Sequence, residues 1–173
     1  AAYLTAIKAA RVEVLLANAY FLPGRRIRRA LMNAAQRGVR VRLLLQGRIE
    51  YPLQYRATRW LYQQFMQAGV EIYEYFPSYL HAKVAVVDRL ATVGSSNLDA
   101  FSLLLAREAN VLIDDAEFSG QLRASLNRAI ARGGRLIEPT PYALGNGWVR
   151  LVDWAAYCLL RLGVVLTGQG RSY

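Results

Sequence analysis

The chain alternates between short apolar runs with a two-residue rhythm and longer amphipathic stretches with a helical one. Residues Ala2 to Ala10 read as an amphipathic helix, and Val12 to Ala17 as a buried strand. A Pro23–Gly24 turn leads into Arg25 to Arg37, where Ile27, Leu31, Ala34 and Ala35 fall on one helical face. Gly38 stands where a helix C-terminal glycine belongs. Val39 to Leu45 predicts a second strand, and Gln46 to Tyr55 a loop containing Pro52. Arg56 to Ala68 predicts another helix, closed by Gly69, and Val70 to Tyr75 a third strand. Strands and helices alternating at this spacing predict parallel strands joined by crossover connections.

The order then changes. His81 to Val87 and Ala91 to Val93 are apolar runs separated only by Asp88, Arg89 and Leu90, which predicts a hairpin. Glu108 to Ile113 predicts a further strand, and Asp114–Asp115 a cap for a helix running to about Arg132. The fold class expected is α/β, with a mixed, mainly parallel sheet flanked by helices on both faces. Residues 1–138 form one domain in this reading. Pro139, Pro141, Gly145 and Gly147 mark a linker over 139–147, and 148–173 form a hydrophobic tail. Arg150, Asp153 and Arg161 interrupt the tail's apolar run, Trp148 to Leu166, leaving it too short and too charged for a membrane span. Two readings of it stay open: an amphipathic helix at a membrane interface, or a helix docked on the protein itself.

Composition narrows the partners. The 173 residues are 54% hydrophobic and 20% charged, a globular balance. The net charge of +10 favours anionic partners such as nucleic acid, acidic lipid or phosphorylated substrates. Of the 22 basic residues only Lys8 and Lys83 are lysines. A single cysteine, Cys158, excludes an internal disulfide and a cysteine-rich zinc site. A single histidine, His81, excludes a histidine-cluster metal site. The chemistry expected is therefore free of metal, or carried by carboxylates. The chain begins at Ala1, without Met, and reads as a piece of something longer.

The informative stretch runs from His81 to Asp99, HAKVAVVDRLATVGSSNLD. On a strand His81 and Lys83 project to the same side. An imidazole beside an ammonium is costly in a core without an anion, and a bound phosphate offsets that cost. The hairpin returns to Gly94-Ser95-Ser96-Asn97, where glycine permits close backbone approach and Ser95 and Asn97 supply neutral donors. One imidazole, one cation and two donors around a point can stabilise charge on a phosphoryl group.

His81, Lys83, Asp88, Gly94, Ser95 and Asn97 match the H-x-K-x4-D and G-S-x-N pattern of the phospholipase D superfamily, which this chain resembles over about Tyr3 to Ile130. The segments ANAYFLPG, GVEIYEY, GSSNLD and EANVLI, with the Trp-bearing tail, are similar to the C-terminal half of bacterial cardiolipin synthases. One departure stands out. Asp88 and Gly94 enclose five residues where the family has six, which bears on the register of the hairpin.

The resemblance implies a phospholipase D/nuclease-like fold and two such motifs facing each other across a pseudo-twofold axis. One His attacks phosphorus and forms a phosphohistidine, while the other protonates the leaving alkoxide and then activates the acceptor hydroxyl. The catalytic set it implies here is His81, Lys83, Asp88 and Glu108. His81 is nucleophile or acid, and Lys83 and Asn97 bind phosphate oxygens with Ser95 in support. Glu108 holds a His ring, and Asp88 pins the hairpin rather than touching substrate. With one His the chain needs a second half, either an N-terminal domain or a homodimer mate. The substrate implied is phosphatidylglycerol, made into cardiolipin without metal or organic cofactor by a peripheral protein of the bacterial inner membrane. Arg25, Arg26, Arg28 and Arg29 are candidates for holding anionic lipid. Tyr20, Tyr51, Tyr55, Tyr73, Tyr75 and Tyr79 are candidates for lining a lipid cleft, with Arg48 and Glu50 within reach of it. Two rival readings are a dimeric metal-independent endonuclease, for which the net charge speaks and the apolar tail and the lipid-synthase likeness do not, and a non-catalytic membrane-binding half-domain.

Overall fold

The computed structural model describes residues 2–99, 108–139 and 146–166. Within them lie helices α1 (Ala2–Ala9), α2 (Arg25–Gln36), α3 (Pro52–Gln67), α4 (Ala116–Gly133) and α5 (Gly147–Leu166). The strands are β1 (Glu13–Asn18), β2 (Arg40–Gln46), β3 (Glu71–Tyr75), β4 (Lys83–Val87), β5 (Leu90–Gly94), β6 (Asn110–Asp114) and β7 (Gly134–Leu136). They form one sheet in the order β6-β5-β4-β1-β2-β3-β7. The predicted linker at 139–147 falls mostly outside the described residues, as does the tail beyond residue 166.

The sheet is mixed and covered by helices on both faces, as its sequence predicts. The parallel part is smaller than expected. Among the described strands β1–β2 and β2–β3 pair in parallel, while β1–β4, β4–β5, β5–β6 and β3–β7 are antiparallel. The two parallel joints are the ones bridged by a helix.

Alternation along the central strands divides the core. Val14 and Leu16 of β1, Leu43 and Leu45 of β2 and Ala85 and Val87 of β4 pack with α1, α2 and α3. Leu15, Ala17 and Leu44 face the other way, toward Leu126 of α4. Central strands buried on both faces read as unbroken apolar runs, which is why β1 and β2 carry so little polar alternation. Gly38 and Gly69 close α2 and α3 at φ +89 and +90, where a Cβ is strained. The α3 helix begins at Pro52, four residues earlier than its periodicity indicates, because proline at the first helical position costs no hydrogen bond.

One polar cluster interrupts the core. Glu74, 2% exposed, accepts hydrogen bonds from the hydroxyls of Tyr62 at 3.1 Å and Tyr55 at 3.4 Å, and pairs with Arg59 at 3.4 Å. Burial pushes its carboxyl up; Arg59 and the two hydroxyls oppose that push. Tyr62→Phe removes one of these donors without opening a cavity. It is expected to cost about 1–2 kcal/mol in urea unfolding. Tyr73→Phe, whose hydroxyl bonds the half-exposed Glu71, should change stability much less.

Candidate active site

The C-terminal ends of the parallel strands, where open α/β sheets hold their ligands, converge with the start of β4. Lys83 opens β4 opposite Asn18, the last residue of β1. It shares a face with Ala85 and Val87, so it emerges at the rim of the α1–α3 side of the core. The strand was expected to begin at His81 and begins instead at Lys83. The amide of Ala19 still bonds the Ala82 carbonyl at 2.9 Å and guides the chain as far as His81. His81 is exposed, and its ring meets Tyr20 edge-on with centroids 6.3 Å apart.

An acidic corner ties these groups together. Burial lowers the pKa of Lys83, and the nearby carboxylates of Glu108 and Asp99 oppose that shift by favouring its cation. Asp99, 3% exposed, also acts on Tyr20, whose hydroxyl is pushed up by burial and by its hydrogen bond to Glu50. Tyr20 thus adjoins His81 on one side and shares Asp99 with Lys83 on the other. Lys83 thus lies near Glu108 and Asp99, Asp99 near Tyr20, and Tyr20 against His81. Asp99 was not singled out in the sequence. Its only signal there is its position two residues beyond Asn97, where strand-like alternation returns it to the same side.

The returning loop is held by backbone contacts. A Cβ on Gly94 would collide with the Ala109 carbonyl and the Asn110 carboxamide, so only glycine fits. The Ser95 amide donates to the Ala109 carbonyl at 2.9 Å, and its hydroxyl accepts from the Ala109 amide at 3.0 Å. The Ser95 hydroxyl therefore positions the segment next to Glu108 rather than facing the corner as a donor. Asn97 is buried beside Leu98, whose amide donates to Asn18 Oδ1 and whose carbonyl accepts from Leu22. The short hairpin is absorbed at its tip. Pairing runs unbroken from Val87↔Leu90 to Val84↔Val93 across a two-residue turn, Asp88–Arg89.

Asp88 lies at the far end of β4, about 16 Å of strand rise from Lys83. Its carboxylate accepts from the backbone amides of Arg11, Val12 and Glu13 at 2.9, 3.0 and 2.9 Å. Arg123 of α4 bonds both the Asp88 carbonyl and Glu13. Of the residues predicted as a set, Asp88 is the one the fold separates from the others.

An open depression of about 380 Å³ adjoins this corner, lined by Tyr20, Gln46, Glu50, Tyr51, Gln54 and Tyr55 among others. The Tyr20 hydroxyl donates to Glu50 at 2.5 Å and its ring meets Tyr51 at 5.5 Å. Arg48, named as a candidate, donates to the carbonyls of Phe76 and Pro77 at 2.6 Å each and braces the loop leading to His81. Gln46 accepts from the Leu80 amide at 2.9 Å and holds the same loop from inside. The expected tyrosine cleft is thus only partly realised. Tyr73 and Tyr75 pack on the α4 side, because odd positions of β3 face away from α3, and Tyr79 lies against Arg48.

Residues 3–130 match the family described as "Cardiolipin synthase, PLD-like domain". The chain is 42% identical over 167 residues to cardiolipin synthase B of Escherichia coli strain K12, covering 96% of this chain and 40% of that protein. It therefore spans less than half the length of the curated relatives it matches. Among solved structures, phosphatidylserine synthase of Haemophilus influenzae superposes with TM-score 0.69 at 15% identity over 96% of this chain and 43% of that one. The phospholipase D family member Nuc of Salmonella typhimurium superposes with TM-score 0.64 at 21% identity, over 78% of this chain and 88% of that one. At these identities the two structures establish the fold alone.

Proposed function

Because the chain belongs to the cardiolipin synthase family of phospholipase-D-like domains, we propose that it is one half of a phosphatidyltransferase that makes cardiolipin from phosphatidylglycerol. The observation carrying this reading is that Lys83 lies by Glu108 and Asp99, with His81 joined to them through Tyr20, beside an open, shallow depression. The exposed imidazole can reach a diester phosphorus. The desolvated ammonium of Lys83, with Asn97, holds the non-bridging oxygens.

In the proposed reaction one His attacks phosphorus, and the bond to the glycerol oxygen breaks. The second His, from the other half, gives that oxygen its proton and releases glycerol. It then takes the proton of a hydroxyl on a second phosphatidylglycerol. That oxygen displaces the histidine, yielding cardiolipin and restoring both rings. His81 is one of the two. The other comes from an N-terminal half or a second copy, since this chain holds a single His. Glu108 fixes a His ring in this scheme, as an acidic partner fixes a tautomer elsewhere, and Ser95 keeps the Glu108 segment in place. The depression's hydroxyl- and carboxamide-bearing lining suits the neutral glycerol end of the substrate. In this reading attachment is peripheral; among the described residues no helix is long and apolar enough to cross a membrane.

The net charge of +10 keeps a phosphodiesterase acting on nucleic acid as a second reading. One assay separates them. The assembled protein is given phosphatidylglycerol vesicles and, separately, single-stranded DNA, both with EDTA. The expected result is new cardiolipin with stoichiometric glycerol, and intact DNA. Cleaved DNA without new lipid overturns the lipid assignment.

A further inference from the structure

The α5 helix is apolar on two sides. It packs on the α1–α3 core through Ala156, Tyr157 and Leu160, with Val164 also buried, and polar contacts pin that inward side. Asp153, 1% exposed, pairs with Arg56 of α3 at 3.3 Å, and Arg150 donates to Gln63 of α3 at 2.6 Å. The Tyr157 hydroxyl accepts from Arg28 of α2 at 3.0 Å, with the guanidinium also over its ring. Ala156 and Val164 complete the buried side. These contacts fix the helix's rotation. Outward, over about 160° of the helix at 100° per residue, it presents Trp148, Leu151, Val152, Trp154, Leu159, Leu162, Val165 and Leu166, all 39–77% exposed. None of the helix's three charged residues, Arg150, Asp153 and Arg161, is on that exposed face.

A continuous apolar face of this size marks a surface that meets something other than water. The charges flanking it say what. The Arg28–Tyr157 contact places α2 alongside α5, and α2 turns Arg25, Arg26 and Arg29 to solvent. An apolar stripe with tryptophans, on a helix whose neighbour carries solvent-facing arginines, is complementary to an anionic bilayer, with rings at the headgroup level and cations on the phosphates. Helices of this kind lie in the plane of the interface, sunk by about 5–10 Å.

We infer that α5 is a rigid monotopic anchor: its Trp148–Leu166 outer face inserts into an anionic leaflet while Asp153, Arg150 and Tyr157 bolt it to α3 and α2. The inference deepens the phospholipid reading and rests on it for a role at the membrane. It also orients the site. The first turn of α3 lines the depression beside His81, and α3 carries α5, so the anchor holds that opening next to the surface that supplies its diester.

The test uses flotation of the full-length protein with vesicles of 30% phosphatidylglycerol in phosphatidylcholine. Leu159→Glu/Leu162→Glu is expected to lose flotation by 10-fold or more, with unchanged circular dichroism and melting temperature, because both side chains are exposed. Arg25→Ser/Arg26→Ser/Arg29→Ser should weaken binding by roughly 100-fold on these vesicles, from about 1 kcal/mol per charge, and little on pure phosphatidylcholine. Brominated acyl chains should quench Trp148 and Trp154 in the native protein. A folded double-Glu variant that floats as well as the native protein overturns the inference. So does a native protein that ignores vesicles but forms a dimer that this variant breaks, since a second copy then covers the face. Transfer from detergent-solubilised phosphatidylglycerol tests the catalytic reading separately. The double-Glu variant should retain it, and loss of transfer with flotation intact would fault the chemistry and not the anchor.

Discussion

His81→Ala, in the assembled two-half protein, is expected to lower phosphatidyl transfer by about 10³-fold or more, since positioned proton transfer alone contributes up to about 10⁴-fold and a lost nucleophile removes the covalent route altogether. The fold should survive. The His81 ring is exposed, touches Tyr20 only edge-on, and lies outside the strand ladder, so removing it opens no cavity. Transfer is measured on vesicles beside thermal unfolding of both proteins. Denaturant quenching at alkaline pH, where a bond from phosphorus to imidazole nitrogen survives, with phosphorus-labelled phosphatidylglycerol then locates the label. Label on His81 in the native protein makes it the nucleophile. Label on the opposite half makes His81 the acid. Undiminished turnover in the variant removes His81 from the reaction.

Lys83 separates the charge requirement from the nucleophile. Its cation is already disfavoured by burial and is supported by Glu108 and Asp99. A diester phosphate arriving at this corner adds a further anion and favours protonation further. The acidic corner also repels that phosphate. In the proposed scheme the site works only if Lys83, Asn97 and a cation from a second half together outweigh two carboxylates, which is a physical argument for the second half proposed above.

The sequence displayed the corner more clearly than the frame around it. Lys83 keeps the strand position its alternation predicts, whereas His81 falls two residues before β4, outside the ladder that was to fix its side; Gly94 is legible because only a missing Cβ allows the approach of Ala109 and Asn110. Gly38 and Gly69 were legible as helix ends for the same backbone reason. What escaped was everything that depends on which element covers which. Glu74 sits in an ordinary amphipathic strand pattern, and only the arrival of α3 turns it into a buried carboxylate held by Tyr55, Arg59 and Tyr62. Asp99 looks like a loop polar residue until Tyr20 and Lys83 approach it across more than one strand. Pattern showed α5 to be amphipathic but not which side faces the protein. The side that holds Asp153, Ala156, Tyr157 and Leu160 faces inward, and three specific partners on α2 and α3 that no periodicity encodes pin it there.

Asp88→Ala is expected to destabilise the chain by about 2–3 kcal/mol while leaving the chemistry of the corner intact in the molecules that remain folded. A carboxylate accepting from three consecutive amides replaces the hydrogen bonds that Arg11, Val12 and Glu13 would otherwise make to water. Bonds to charged groups are worth about 1.5–3 kcal/mol each when fully buried; partial exposure here screens them, hence the smaller total. The residue also holds φ +52, which aspartate tolerates better than alanine. The pH dependence carries the signature. Burial pushes the Asp88 carboxyl up, but the three amides and Arg123 outweigh it and hold the pKa below that of an unfolded aspartate. Its stabilisation is therefore complete above about pH 4, the unfolded value, and drains away as pH falls through the lower folded one. Urea midpoints taken from pH 7 to pH 3 should fall for the native protein, and the gap between native and Asp88→Ala should narrow as they do. A constant gap would mean the carboxylate's charge is not what the amides hold. Equal stability at neutral pH combined with lost transfer would return Asp88 to the reaction itself, against the strand's length of separation from Lys83.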